Sequence, residues 1–304
     1  MDVDLKPLDR QVIVITGASS GIGLATARMA ADKGARLVLS ARSEETLNSV
    51  AREIRSAGGE AVVCVADVGD RAQVERIAQS ALQNFGRIDT WINDAGVAIY
   101  GKHWEASEED NRRLFDTNFW GVVNGSLVAL PHLRAQGGAL INIGSEVSDA
   151  YVPLQGMYTA SKHAVKGFTD VLRLELELED APVSVTLIQP TAVNTPYPQH
   201  ARNYMDKEPK LPSPQIDPDE VAEAILDAAV KHKRDVKVGT MAKLNTLTAK
   251  TMPGMADKMS KSYAERQQYD EPPRNPEGTL FQPGETGSVR GSGGAEEGHS
   301  SRPH

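Results

Sequence analysis

Tyr158 and Lys162 stand four residues apart at the end of the stretch 145–162, SEVSDAYVPLQGMYTASK. If that end is helical, both side chains leave one face, and a phenol lies beside an ammonium. An unperturbed tyrosine ionises at about pH 10, so a neighbouring cation must favour the phenolate before the group can cycle protons usefully at neutral pH. Lys162 can supply that charge. Ser145 follows the apolar run 139–143, which reads as a strand ending in a loop, where functional groups are often presented. A hydroxyl, a phenol and an amine above one strand end are the parts of a proton-transfer site.

The elements that must position these groups alternate between strand and helix. Residues 11–16 form a β-branched run that stops at a glycine-rich turn, GASSGIG over 17–23, and passes into a helical pattern over 24–33 closed by Gly34. Such a turn lets the backbone approach a phosphate, and the helix N-terminus offers unpaired N–H groups at the positive end of its dipole. The natural guest is a dinucleotide pyrophosphate at Gly17, Ser19, Ser20, Gly21, Ile22 and Gly23. The spacing departs from G-x-G-x-x-G, so alone it also reads as a tight turn without a ligand. Further apolar runs at 35–39, 61–65, 88–92, 139–143, 183–188 and 236–238 are separated by helical patterns. This alternation predicts an α/β fold, a doubly wound (Rossmann) parallel sheet of seven strands with helices on both faces. Ligands of such sheets sit at the carboxyl ends of the strands, where Gly17, Arg42, Asp67, Asn93 and Ser145 all fall.

The second strand ends without the carboxylate that would hold a ribose 2′-hydroxyl. Arg42 stands there instead and suits a 2′-phosphate, so NADP(H) is expected over NAD(H). Its alternative reading is a solvated loop charge. Asp67, after the third strand, can accept from an adenine amino group or serve as a turn or cap residue.

With these motifs in place, the chain resembles the short-chain dehydrogenase/reductase family over roughly residues 8–240. The resemblance rests on Thr16-Gly17-x-x-x-Gly21-Ile22-Gly23, Asp67-Val68, Asn93-Asp94-Ala95-Gly96, Asn118, Ser145, Tyr158-x-x-x-Lys162 and Pro190-x-x-Val193-x-Thr195, in the family's order. It implies Tyr158 as proton donor to a carbonyl, Ser145 as partner of the substrate oxygen, and Asn118 as holder of a water that links Lys162 to solvent. Lys162 would also bind the nicotinamide ribose. Val68, Asn93, Ala95, Gly96, Pro190, Val193 and Thr195 would line the cofactor, with Thr195 donating to its carboxamide or pyrophosphate. The implied activity is interconversion of an alcohol and a ketone or aldehyde by hydride transfer, in a homo-oligomer. Singly, each catalytic candidate has a plainer reading: a core aromatic, a surface charge, a serine turn, a helix cap. A non-catalytic dinucleotide-binding regulatory or scaffolding protein on the same fold is the alternative, and isomerase, dehydratase or epimerase chemistry also stays open.

Three features depart from the family pattern. Asp94 replaces an amide donor by an acceptor. Thr191 puts a side chain where the family has glycine after Pro190. Glu146 and Asp149 make the segment after Ser145 acidic, to suit a polar or cationic substrate or simply to face water.

The stretch between Thr195 and Asp217 is proline-rich and reads as a substrate lid, followed by a helix start at Asp217-Pro218. Apolar residues at three- to five-residue steps predict two amphipathic helical pieces over 241–269, broken at Pro253-Gly254. Their basic charge permits contact with an anionic membrane, but packing on the chain itself or a partner subunit is favoured. Residues 270–304 are rich in Gly, Pro, Ser and Glu and are expected to be disordered, with Leu280-Phe281 as a local anchor. The expected organisation is therefore a catalytic domain over 1–240, a helical extension over 241–269 and a tail.

The 304 residues carry a formal net charge of −8, which argues against general affinity for nucleic acid. The single cysteine, Cys64, leaves no intramolecular disulfide to form. No apolar run is long enough for a membrane span and no secretory leader is visible, so a cytoplasmic location is expected. No metal site is expected.

Overall fold

The computed structural model describes residues 3–284 and 287–291. Its strands are β1 (Val12–Thr16), β2 (Arg36–Ala41), β3 (Glu60–Val65), β4 (Thr90–Asn93), β5 (Ile99–Tyr100), β6 (Gly138–Ile143), β7 (Val183–Pro190), β8 (Arg202–Asn203) and β9 (Asp235–Val238). Seven of them form one parallel sheet in the order β3-β2-β1-β4-β6-β7-β9, while β5 and β8 pair separately. The seven expected strands are therefore the seven of the main sheet.

The helices are α1 (Gly21–Asp32), α2 (Glu44–Ser56), α3 (Arg71–Phe85), α4 (Glu108–Phe115), α5 (Gly121–Gln136), α6 (Gly156–Leu178), α7 (Tyr197–His200), α8 (Pro218–Val230), α9 (Thr240–Thr251) and α10 (Pro253–Arg266). Alternate residues of a strand point to opposite faces, and β1 shows what covers each. Ile13 and Ile15 join a buried cluster with Leu24 of α1 and Val221 and Ile225 of α8. Val12 and Val14 join another with Val74 and Ile77 of α3 and Leu133 of α5. All five β1 residues are buried, as a strand covered on both faces requires.

Strand order runs outward from β1 to β3 and then resumes with β4 on the other side of β1, which opens a crevice at the carboxyl ends. The register aligns those ends: Thr16 pairs with Ser40 and with Asn93, and Asn93 pairs with Asn142. The residues that follow each of these reach the same edge. At α8, Asp217 caps the first turn, accepting from the Asp219 N–H at 2.9 Å, while the Glu220 side chain returns to the Asp217 N–H. Pro218 occupies the first turn, where its missing N–H costs nothing.

After β9 the chain turns back over the crevice. Helices α9 and α10 meet at Met252, and residues from both line the same cavity as the strand ends. The expectation of disorder over 270–304 does not hold for 270–284 and 287–291; the rest of that stretch lies outside the described residues. Leu280 is 1% exposed, in a cluster with Val97, Ile99 and Leu114, whereas Phe281 is exposed. A segment so poor in apolar side chains cannot build a core of its own, but one leucine on an existing apolar patch and a series of polar contacts suffice to seat it on a folded domain.

Candidate active site

The crevice holds one continuous cavity of about 310 Å³. Its wall begins at the turn after β1. Gly17 has φ +77°, and a Cβ there would stand 2.8 Å from the Ala95 nitrogen; only glycine lets the two backbones pass so closely. A Cβ on Gly23 would collide with the Gly17 carbonyl and lie 2.7 Å from Asp94 Oδ2. Thr16 Oγ1 ties the two loops, accepting from the Asp94 and Ala95 N–H groups at 3.2 and 3.3 Å. Sequence and packing thus leave bare backbone and the N-terminus of α1 facing the cavity, a surface suited to a phosphate.

Ser19, Ser20, Gly21, Ile22, Arg42, Asp67, Val68, Ala95, Gly96, Pro190, Val193 and Thr195 all line this cavity together with Ser145, Tyr158 and Lys162. Asn93 does not. Its amide is buried beneath the crevice, donating to Asn142 Oδ1 at 2.8 Å and accepting from Trp91 Nε1 at 2.8 Å. Gly23 acts by its missing side chain. Asn118 lies at 0% exposure in a π-helical turn, Asp116–Trp120, between α4 and α5. Its amide accepts from the Val97 N–H at 2.8 Å and donates to the Val97 carbonyl at 2.9 Å and to Ser161 Oγ at 3.2 Å. That clamp pins the loop after β4 to α6, one turn from Tyr158.

Tyr158 and Lys162 leave α6 on the cavity side, with the ammonium 5.6 Å from the phenol ring centroid. Lys162 is 5% exposed and donates to the Ile143 carbonyl at 2.8 Å. Burial pulls its ammonium down to about 8, against the opposing charge of Asp94. Burial likewise pushes the Tyr158 phenol up to about 12, opposed by hydrogen bonding to Ser145 and Tyr197. In the protein alone, therefore, the cation does not bring the phenol down. Desolvation dominates, and the lysine is turned toward a carbonyl as well as toward the tyrosine. Ser145 caps a short turn, its Oγ accepting from the Val147 N–H at 3.3 Å.

Of the three departures, Asp94 is central. Burial pushes its carboxyl up to about 7, while Lys162 and the Gly23 N–H hold it down. Its carboxyl lines the cavity close enough to Lys162 for each to act on the other's charge. Glu146 also belongs to the cavity wall, accepting from Thr191 Oγ1 and Asn245 Nδ2, both at 3.0 Å; burial raises its carboxyl. Thr191 thus helps to hold Glu146. Asp149 is structural instead: it accepts from Gln189 at 2.9 Å and pairs with Lys237 at 3.3 Å.

Other contributors carry no motif that marks them as site residues. Tyr197 stacks edge-on to Tyr158 at 5.4 Å between centroids and donates to Gln155 Oε1 at 2.7 Å. Asn245 on α9 and Met259 and Tyr263 on α10 close one end of the cavity, with Leu211 and Pro212 from the proline-rich connection. The prolines signal the connection; nothing in the amphipathic pattern says that α9 and α10 fold onto this cavity. At the opposite end, Arg42 Nη1 donates to the Leu280 carbonyl at 3.1 Å, and its Nη2 donates to the Thr279 carbonyl. Burial and the nearby Arg113 lower the Arg42 pKa. Arg113 itself pairs with Asp67. Among the described residues no cluster of side chains could hold a metal, and no helix is long and apolar enough to cross a membrane.

Known proteins resemble this chain in sequence and fold. The short chain dehydrogenase family matches residues 11–206. The Bacillus subtilis oxidoreductase YxnA is 47% identical over 285 residues, covering 92% of this chain and 80% of its own. That alignment is too long to stop at residue 206, so it takes in the helical extension. The Mycobacterium tuberculosis putative oxidoreductase SadH is 33% identical, covering 82% of this chain and 93% of its own. Among solved structures, an alcohol dehydrogenase from Thermococcus sibiricus complexed with 5-hydroxy-NADP has a TM-score of 0.67 at 29% identity, covering 75% of this chain and 95% of its own. A Burkholderia phymatum short-chain dehydrogenase/reductase in complex with NAD has a TM-score of 0.71 at 27% identity, covering 88% and 99%. By its fold, its motifs and these relatives, the chain belongs to the short-chain dehydrogenase/reductase family of oxidoreductases.

Proposed function

We propose that the protein interconverts an alcohol and a ketone or aldehyde with NADP(H), Tyr158 acting as general acid and base. The observation that carries this reading is that Ser145, Tyr158 and Lys162 share one cavity with the glycine turn of α1. The glycine cradle and the row of lining residues from Ser19 to Thr195 fit an extended dinucleotide. When bound, that cofactor supplies or accepts the hydride.

In carbonyl reduction the Tyr158 phenol gives its proton to the substrate oxygen as negative charge grows there. The Ser145 hydroxyl, beside it, donates to the same oxygen. Lys162 holds a positive charge near the phenolate that Tyr158 becomes, and the Ile143 carbonyl keeps the ammonium in place. Asn118 acts through position, locking the Val97 loop against Ser161. In oxidation the same proton moves the other way.

NADP(H) over NAD(H) is supported by Arg42 at the end of β2, where no carboxylate competes for a ribose hydroxyl. Glu146, held by Thr191 and Asn245, favours a substrate with polar or cationic groups near the reacting carbon. Exposed Trp120, Leu127, Val171, Leu174 and Leu178 support a homo-oligomer. A single cysteine, which leaves no intramolecular disulfide to form, supports a reducing, cytoplasmic place for it. The test is a panel of carbonyl compounds and alcohols offered with NADPH, NADH and their oxidised forms, followed by absorbance of the reduced nicotinamide. Turnover of at least one carbonyl class with NADPH preferred is expected. A flat response with dinucleotide binding intact would favour the regulatory or scaffolding reading.

A further inference from the structure

The family match ends at residue 206, yet residues 279–284 and 287–291 return to the opposite end of the crevice from the helical extension. Thr279 begins the return, its N–H donating to the His200 carbonyl at 2.8 Å. The next residue, Leu280, is sunk in the Val97, Ile99 and Leu114 cluster. Its carbonyl accepts from Arg42 Nη1 and from Arg113 Nε, each at 3.1 Å. Farther along, the Ser288 carbonyl accepts from the Gly21 N–H at 2.9 Å, and Val289 is buried in the α1 and α8 cluster. Arg290 then anchors the segment on the cap of α8, with Nη2 2.8 Å from Asp217 and 2.9 Å from Asp219.

These contacts cross the crevice without filling it. Thr279, Pro283 and Gly284 are wall residues of the same cavity that Ser19, Ile22 and Val68 line from the other side. The first N–H groups of a helix have no partner within it. At α1 the Gly21 N–H goes to Ser288, the Leu24 N–H to the Ser20 carbonyl and the Gly23 N–H to Asp94, while Ile22 lines the cavity. A phosphate at Ile22 and a strap at Gly21 use different donors of one helix end. Arg42 faces both, since its guanidinium reaches the strap carbonyls and also lines the cavity.

We propose that residues 279–284 and 287–291 form the outer wall of the dinucleotide site, a strap closed over the adenosine half of the cofactor and tied down by Arg42, Arg113, Gly21 and Arg290. The cofactor leaves only when the strap lifts, so its release after each hydride transfer is slowed. This rests on the dinucleotide reading above and adds to it a retaining element that lies outside the family's matched region.

Two measurements test it. In hydrogen exchange on the full chain, saturating NADPH should slow exchange of the strap amides at 279–284 and 287–291, because the cofactor completes the surface they lie on. Faster exchange would show instead that the strap competes with the cofactor for Arg42 and Gly21, and unchanged exchange that the two do not meet; either result overturns the proposal. In stopped-flow displacement of bound NADPH, a chain ending at Gly278 should release it about tenfold faster or more, most of the change in affinity appearing in the off-rate. Arg290→Ala, which leaves the Leu280 cluster intact, should release it faster than the full chain and slower than the truncated one. Release as slow as, or slower than, the full chain's from Arg290→Ala and from the truncated chain would overturn the proposal. If neither NADPH nor NADH binds the full or the truncated chain, the dinucleotide reading itself fails and the strap proposal falls with it. Binding without a strap response sinks the strap alone.

Discussion

Tyr158→Phe removes one oxygen and leaves a ring that can keep its edge-on packing against Tyr197, 5.4 Å away between centroids. Burial is the largest influence on that phenol and pushes it up to about 12; Ser145 and Tyr197 oppose the rise, and the charges of Asp94 and Glu146 add to it. At pH 7 about one phenol in a hundred thousand is then ionised. On the proposed mechanism the residue would enter carbonyl reduction already holding the proton it gives. It would enter alcohol oxidation lacking the base it supplies. Because the folded-state pKa lies far above neutrality, the ionised fraction grows about tenfold for each pH unit below it. Oxidation in the intact protein should climb steeply with pH from neutrality upward. Reduction should stay level and then decline once Lys162, pulled down to about 8 by burial, loses its charge. Tyr158→Phe should cut kcat by about 10²–10⁴ in both directions, the usual range for a lost general acid or base. It should also abolish the climb of the oxidation profile, while NADPH affinity by fluorescence titration changes little. Full turnover by Tyr158→Phe, or an oxidation rate independent of pH in the intact protein, would refute the assignment of the proton to this phenol.

The neighbouring groups give sharper tests. Asp94→Asn removes a negative charge that raises both Tyr158 and Lys162, so the oxidation limb should move to lower pH; an unmoved or upward-shifted profile would show that Asp94 does not reach the phenol. Gly23→Ala would drive a methyl into the Gly17 carbonyl and toward Asp94 Oδ2, which should cost about 1–3 kcal/mol in urea unfolding and weaken NADPH binding; a variant of normal stability and affinity would mean that the turn yields easily to a side chain. Arg42→Ala should weaken NADPH more than NADH, with some loss for both because Arg42 also ties the strap. Equal losses would leave Arg42 a strap anchor only.

The sheet, and the meeting of Ser145, Tyr158 and Lys162 on one cavity, were legible in the chain because both depend on short-range order. The β-branched runs that became β1, β4 and β6 had to be strands. The glycine turn had to be tight, and the spacing of Tyr158 and Lys162 puts them on one helix face whatever surrounds it. Parallel register then carried Ser145 and the α1 turn to a common edge. Tertiary structure decided what periodicity cannot encode. The Asn93 amide turned beneath the crevice because the buried Asn142 and Trp91 needed a partner there, as buried polar groups do. The Tyr158 phenol rose because its surroundings became dry, an effect of the finished fold on a residue whose sequence neighbours suggested the opposite. Glu146 found Thr191 and Asn245 across long chain separations. The tail, polar and glycine-rich, had no local preference strong enough to announce itself. Its place came from Leu280 meeting an apolar patch, and from carbonyls meeting Arg42 and Gly21 that only the assembled domain presents. The residues of the candidate site could be read along the chain, whereas what encloses them was set by distant segments coming together.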